Sequence, residues 1–295
     1  MNENMPNLNL LNKVAPILGN VEILEPWTIY NLKRMGFFKV VVIGDMHTGS
    51  KYGYLPHEAV TKEGVQITQT KWQRTMETNL LSEFKKIGEV DILIVMGDTC
   101  EGKQVKIAGI TLSDADTDSM VKWATKSILD ICKLLKPKII IAVKGTDYHV
   151  STGIGGDLDY QVASNLAYSG YKVLYGYPTA NVRIGNLKWK LKHKYPTAMN
   201  ITPPMEKVYK EVCADAKAKG YEVPDVFGWG HAHQCVEPHR IYSTSAYAFI
   251  APCLKLNDPH IEEATYVKRP DIGFLYIEQD ADGYLNGRFI RIFKQ

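Results

Sequence analysis

Phe37-Phe38-Lys39-Val40-Val41-Val42-Ile43-Gly44-Asp45-Met46-His47 decides the architecture of this chain. The run of β-branched and aromatic residues reads as a strand buried on both faces, the kind found inside parallel sheets. It stops at a glycine, and an acid and an imidazole come next. The design returns at Asp91-Ile92-Leu93-Ile94-Val95-Met96, which ends at Gly97-Asp98. It returns again at Lys138-Ile139-Ile140-Ile141-Ala142-Val143, which ends at Lys144-Gly145-Thr146-Asp147-Tyr148-His149.

Helical patterns separate these runs. Trp72, Met76, Leu80, Phe84 and Ile87 share one helix face, and Gly88 stands where a helix would stop. Val121, Ala124, Ile128, Ile131 and Leu135 form a second stripe, led by capping Asp and Ser residues and closed by Pro137. The order β, α, β, α, β predicts a parallel sheet with right-handed crossovers and ligands at the carboxyl ends of its strands.

Farther along, Trp189, Leu191, His193 and Tyr195 alternate with Lys188, Lys190, Lys192 and Lys194, which turns His193 inward and the lysines outward. Gly185-Asn186 predicts a tight turn, so residues 180–195 read as a hairpin. Met205, Val208, Val212 and Ala216 predict a short helix ended by Gly220, and Asp225-Val226-Phe227-Gly228-Trp229 leads into Gly230-His231-Ala232-His233. A hairpin around Asp280-Ala281-Asp282-Gly283 closes the chain. Residues 1–36 read as an N-terminal arm or peripheral helix, and residues 37–295 as a single domain.

Composition sets bounds. With 295 residues, 45% hydrophobic and 23% charged, the chain can bury a sizeable core. A formal net charge of +3 is too mild to indicate nucleic acid by itself. The five cysteines are widely spaced and contain no C-x-x-C pair, which speaks against a disulfide framework or a cysteine zinc site and for a reducing compartment. Without a basic leader or a long apolar stretch, the expectation is a soluble cytoplasmic protein with no membrane partner.

Asp45, His47, Asp98, His193, His231 and His233 read together as one metal site. Imidazole and carboxylate donors suit divalent transition ions, whereas Ca²⁺ and Mg²⁺ prefer oxygen alone. The set exceeds the needs of one open catalytic ion. Two ions about 3.5–4 Å apart would use it fully and could hold a hydroxide between them as nucleophile, which is hydrolase chemistry.

Other candidates are weaker. Cys100 and Cys235 adjoin motifs but read as packing residues. Asp114, Asp116 and Asp118 imitate a calcium loop, yet Ser119 and Thr125 occupy its Gly and Glu places, so helix capping accounts for them. Gly153-Ile154-Gly155-Gly156 lacks the residues of a phosphate or dinucleotide loop and reads as a loop beside the substrate. His57, His239 and His260 match no motif, although His239 next to Arg240 could border a phosphate pocket. The lysine row is either a solvated strand face or a nucleic-acid contact.

In order, G-D-x-H, G-D, a Gly-led turn, a lone His and G-H-x-H resemble the calcineurin-like metallophosphoesterase superfamily over residues 37–253. The resemblance implies an α/β (α+β) fold, a four-layer β-sandwich flanked by helices. It also implies ligand roles: Asp45, His47 and His233 on one ion, Asp98 bridging, and His193 with His231 on the other. The departure lies at the third motif, where the family shows Gly-Asn-His and then an acid. Here Thr146 takes the Asn slot, Asp147 offers a stronger ligand one residue later, and His149 is assigned the catalytic histidine's place facing the phosphate.

Motifs and resemblance together imply a binuclear hydrolase of phosphoric esters. A phosphodiesterase or nuclease acting on DNA or a nucleotide is favoured over a phosphomonoesterase, and Mn²⁺ over Fe, Zn or Ni. A metal-binding scaffold without turnover is the alternative from another class, and an oligomer is allowed.

Overall fold

A computed structural model describes residues 23–24, 27–28, 37–102, 116–151, 156–195, 205–241, 244–257 and 269–293. Two short strands come first, β1 (Ile23–Leu24) and β2 (Trp27–Thr28); the rest of residues 1–36 lies outside the described residues. The expected strands are then β3 (Phe38–Ile43), β4 (Ile92–Val95) and β5 (Ile139–Val143). They run parallel, with Val42 opposite Ile94 and Ile94 opposite Ile141. β6 (Val173–Gly176) extends this sheet in parallel beyond β5.

The second sheet is built from β7 (Ala180–Ile184), β8 (Leu187–Lys194), β9 (Val226–Gly230), β10 (Val236–Arg240) and β11 (Tyr247–Ile250). With the first two strands added, its order is β1-β2-β7-β8-β9-β11-β10. β12 (Gly273–Gln279) and β13 (Leu285–Arg291) form the expected terminal hairpin, and β12 pairs antiparallel with β3, making the first sheet β13-β12-β3-β4-β5-β6.

Alternation within β3 shows how the layers stack. Val40 and Val42 face the second sheet in one core with Trp189, Leu191 and Phe249. Val41 and Ile43 face the opposite way, against α1 (Lys71–Ile87), α2 (Thr117–Leu135) and, past the four-residue helix α3 (Asp147–Val150), α4 (Leu158–Tyr168). Each such side chain taken from water contributes roughly 1.5–3 kcal/mol. On the outer face of the second sheet, Phe227 and Trp229 pack with Val208 of α5 (Met205–Ala218). The result is helices, sheet, sheet, helix: a mixed α/β fold of four layers, as expected.

Local chemistry sets the helix ends. Thr70 and Gln73 form a reciprocal capping box at the start of α1, and Gly88 ends it. Asp116 caps α2 by accepting from the Ser119 N–H at 2.9 Å, the capping role expected for this acidic run; Asp114 is outside the described residues. β1, β2, β6, β10, β11, α3 and α4 add to the elements that the sequence pattern predicts. Of the Gly153–Gly156 loop only Gly156 is described.

Candidate metal centre

Four strands deliver the candidate ligands to one edge. Asp45 and His47 follow β3, Asp98 follows β4, His231 and His233 follow β9, and His193 sits in β8. Beyond the strands, the first two loops stay zipped: Asp45 N–H donates to Gly97 O at 3.0 Å, His47 N–H to Asp98 O at 2.9 Å, and Thr48 N–H to Thr99 O at 2.9 Å. Asp45, His47, Asp98, His231 and His233 all adopt left-handed backbone angles, φ between 47° and 67°. Such conformations are costly for residues with a side chain and collect at functional sites. His193 escapes this, but the β8–β9 register shifts between Lys192 and Lys194, on either side of it.

The side chains converge on Asp45. Its Oδ1 lies 3.3 Å from His233 Nε2, 3.7 Å from His193 Nε2 and 3.8 Å from His47 Nε2. Its Oδ2 accepts from the His231 N–H at 3.1 Å. Asp98 Oδ2 lies 2.9 Å from His193 Nε2 and 3.9 Å from His231 Nδ1. The ligand atoms thus fall into groups, each within a 4.8 Å span: Asp45, Asp98, His193 and His231; Asp45, His47 and His233; and His47, Asp98 and His149. Asp45 is common to the first two, and Asp98 links the first to the third.

Electrostatics and orientation suit a cation. Asp45 Oδ1 is buried without a hydrogen bond among the described residues, and His193 Nε2 is buried facing the carboxylates of Asp98 and Asp45. Left so, such atoms forfeit their hydration. His193 Nδ1–H donates to the Met96 carbonyl, which turns Nε2 toward the carboxylates. Burial would lower the His193 pKa, but Asp98 and Asp45 outweigh it and push it up to about 10. Burial likewise opposes ionisation of Asp45 and Asp98, yet the neighbouring imidazoles hold both below the usual carboxylate range. With no cation the His193 ring is thus protonated, its Nε2–H facing Asp98; a divalent transition ion held by the same carboxylates and imidazoles would take that proton's place.

The third motif resolves into three different environments. Thr146 N–H donates to Asp98 Oδ1 at 2.7 Å and its hydroxyl lies 3.2 Å from both Asp98 oxygens, so it braces that carboxylate. Asp147 turns away from the cluster: its carboxylate is 79% exposed and lies 2.6 Å from Lys144 Nζ. The short helix α3 starts at this residue and rotates it outward, which removes it from the ligand candidates. His149 comes back to the cluster, its ring 4.4 Å from that of His47. Its Nδ1 approaches the Glu101 carbonyl at 3.3 Å, and burial with His47 beside it lowers its pKa to about 4. Glycine is required in this loop, because a Cβ on Gly145 would sit 2.1 Å from Asp98 Oδ1.

Three supporting residues carry no signal in the sequence. Glu101, fully buried, places Oε2 2.8 Å from His47 Nδ1 and directs His47 Nε2 at the cluster. Its pKa is lowered to about 2: burial raises it, but His47 and Lys255 prevail. Lys255, also buried, lies 3.3 Å from that Oε2. Asp159, on α4, accepts from the N–H groups of Asp98, Thr99 and Gly145, at 3.2, 3.0 and 2.7 Å, and ties the second and third loops together. Since carboxylates behind ligating histidines set their orientation and basicity, Glu101→Gln is expected to weaken divalent-metal binding about 10–100-fold. Calorimetric titration with Mn²⁺ checks this, and unchanged affinity would refute the role.

The remaining candidates lie elsewhere. Cys100 is buried in the core, Cys235 is half-buried, and all five cysteines are free. His57 pairs with Glu77, and His239 is exposed on the edge strand β10 beside the Glu237 carbonyl; His260 is outside the described residues. No helix among the described residues is long and apolar enough to cross a membrane.

The lysine row splits. Lys188 lies 3.7 Å from Glu222, and Lys190 is half-buried in a 250 Å³ cavity beside Glu211 and Asp215. Lys192 and Lys194 are exposed on a groove of about 520 Å³, whose lining also includes His193, His231, Thr146 and His149.

No protein-family model and no curated protein matches the sequence. Among solved structures, the chain is similar to purple acid phosphatase from yellow lupin seeds (TM-score 0.42, 11% identity, 88% of this chain and 52% of that one). It is similar to a conserved predicted phosphoesterase from Streptococcus pneumoniae TIGR4 (TM-score 0.40, 12% identity, 88% and 92%). It is also similar to the E. coli phosphoesterase YfcE (TM-score 0.38, 12% identity, 86% and 100%).

Proposed function

We propose that this chain is a calcineurin-like metallophosphoesterase: a hydrolase of phosphoric esters that works with two divalent ions, most suitably Mn²⁺, and prefers diesters. The observation that carries the reading is the pair of ligand groups joined at Asp45, one of which brings His193 and His231 to the lining of the groove. Asp45, His47 and His233 would hold one ion, and Asp45, Asp98, His193 and His231 the other; this reading gives the shared place to Asp45, where the resemblance gives it to Asp98. When bound, such ions supply Lewis acidity toward phosphoryl oxygens and water.

The protein's own groups do the rest. Asp159 and Thr146 fix the Asp98 carboxylate, and Glu101 fixes His47. His149 is the candidate to act on the reacting ester. The Glu101 carbonyl occupies its Nδ1 side, so the proton it gives or takes is carried at Nε2. Lys192 and Lys194 offer positive charge along the groove, which suits an ester with further phosphates beyond the reacting one. Free, widely separated cysteines favour a reducing, cytoplasmic setting.

The test is hydrolysis of bis-(para-nitrophenyl) phosphate and para-nitrophenyl phosphate with Mn²⁺, for wild type and His149→Ala. The diester is expected to turn over faster. The variant should lose roughly 10²–10⁴-fold in rate with its metal content intact. Faster monoester cleavage would make the protein a phosphomonoesterase. Loss of an ion in the variant would make His149 a ligand, through the group it forms with His47 and Asp98, and no turnover of either compound would leave a metal-binding scaffold.

A further inference from the structure

We infer that the groove beside the metal centre is a subsite for single-stranded nucleic acid, in which Tyr148 and Tyr177 stack bases while Lys192 and Lys194 contact phosphates. The inference deepens the diesterase reading and rests on it for what is cleaved, but the binding it describes is measurable without turnover. The groove's volume, about 520 Å³, falls within the range of about 300–1,000 Å³ typical of small-ligand sites and can take a base with its sugar.

The lining brings together two kinds of surface. One is the end of β8, where Lys192 and Lys194 flank His193 in sequence and are exposed, with no carboxylate partner among the described residues. Free cations at the rim of a buried ligand cluster attract a polyanion. The other is α3 together with Tyr177-Pro178, which carry Tyr148, 55% exposed, and Tyr177, 58% exposed.

Both rings are held in place, and Lys144 covers one face of Tyr177, which leaves the other face for a base. Tyr148 packs edge-on against His149, centroids 5.1 Å apart, and Lys144 Nζ sits 4.5 Å from the centroid of Tyr177. Lys144 is itself engaged by Asp147, at 2.6 Å, and lies 3.9 Å from Asp157, so it positions a ring and leaves phosphate contact to Lys192 and Lys194. Aromatic rings facing lysines are how single strands are bound without sequence preference, because every base has a π-face. In a duplex those faces are covered by neighbouring base pairs, so this arrangement selects unpaired strands.

The experiment is fluorescence anisotropy with a labelled oligothymidylate in chelator, over a series of salt concentrations, with a duplex of equal length and thymidine monophosphate as competitors. Single strand is expected to compete at least about tenfold better than either. Tyr148→Ala and Tyr177→Ala should each weaken binding about tenfold, while Tyr148→Phe and Tyr177→Phe, which keep the π-face, bind like wild type. Lys192→Ala combined with Lys194→Ala should reduce the slope of log K against log salt by about 1.4, two phosphates at about 0.7 each.

Equal competition by duplex or by the mononucleotide, no binding, or alanine and phenylalanine variants that behave alike would overturn the proposal. Strand binding by a protein that cleaves no diester would sink the diesterase reading and leave the subsite standing. Diester cleavage without strand binding would do the reverse.

Discussion

Asp45→Asn is expected to lower diester turnover by roughly 10³-fold or more while the protein stays folded. Asp45 Oδ1 is within 3.8 Å of three imidazole nitrogens, and no other candidate ligand among the described residues belongs to both the His47–His233 and the His193–His231 groups. The amide keeps the shape and an oxygen for the His231 N–H, but it carries no charge to draw two cations together. Asparagine also tolerates the left-handed backbone found here, φ 49°. The thermal midpoint in chelator should therefore shift by no more than roughly 2–4 °C. Steady-state kinetics with Mn²⁺ beside a melting curve decides the matter: a variant that keeps most of its turnover would remove Asp45 from the centre of the mechanism.

Lys255→Met is expected to cost about 3–5 kcal/mol of stability, because it strands a buried carboxylate. Lys255 is 3% exposed, and its ammonium lies 3.3 and 3.4 Å from the two oxygens of the fully buried Glu101. The pH dependence has a definite sign. Glu101 titrates near 2 in the folded protein, against an ordinary value of 4.5. Its ionisation therefore adds stability above about pH 4.5, which is lost as the pH falls toward 2.

Without the lysine that contribution shrinks, so stability of Lys255→Met should fall less steeply between pH 4.5 and 2 than that of wild type. In the double variant Glu101→Gln, Lys255→Met the stranded charge is gone and much of the stability should return. Metal affinity should not, since His47 has still lost its carboxylate. Urea unfolding across pH, with Mn²⁺ titration of the same proteins, separates the two roles. A single variant as stable as wild type would contradict them.

Much of this is legible in the sequence, for physical reasons. β3, β4 and β5 announce themselves because strands covered on both faces are apolar throughout, and α1 and α2 because one stripe of each meets the sheet. α4 does not: its buried face includes the small Ala163 and a charged Asp159, so its stripe is faint. β11 is four residues long and finds its place by pairing with β9, on the far side of β10 in sequence.

Among the ligands, Asp45, Asp98 and the His231–His233 pair can be read because each follows a strand in a recognisable motif. Glu101, Lys255 and Asp159 cannot. Each acts on a group brought to it by folding, and a lone charged residue carries no periodicity. Asp147 fails in the other direction: the better ligand by chemistry is swung outward to Lys144 by a single helical turn.

The most direct test of the central claim is anomalous diffraction from crystals soaked in Mn²⁺. Two peaks about 3.5–4 Å apart are expected, both against Asp45, one also against His47 and His233 and the other against Asp98, His193 and His231. A single peak, or ions bound away from Asp45, would contradict the two-ion centre on which the proposed hydrolysis depends.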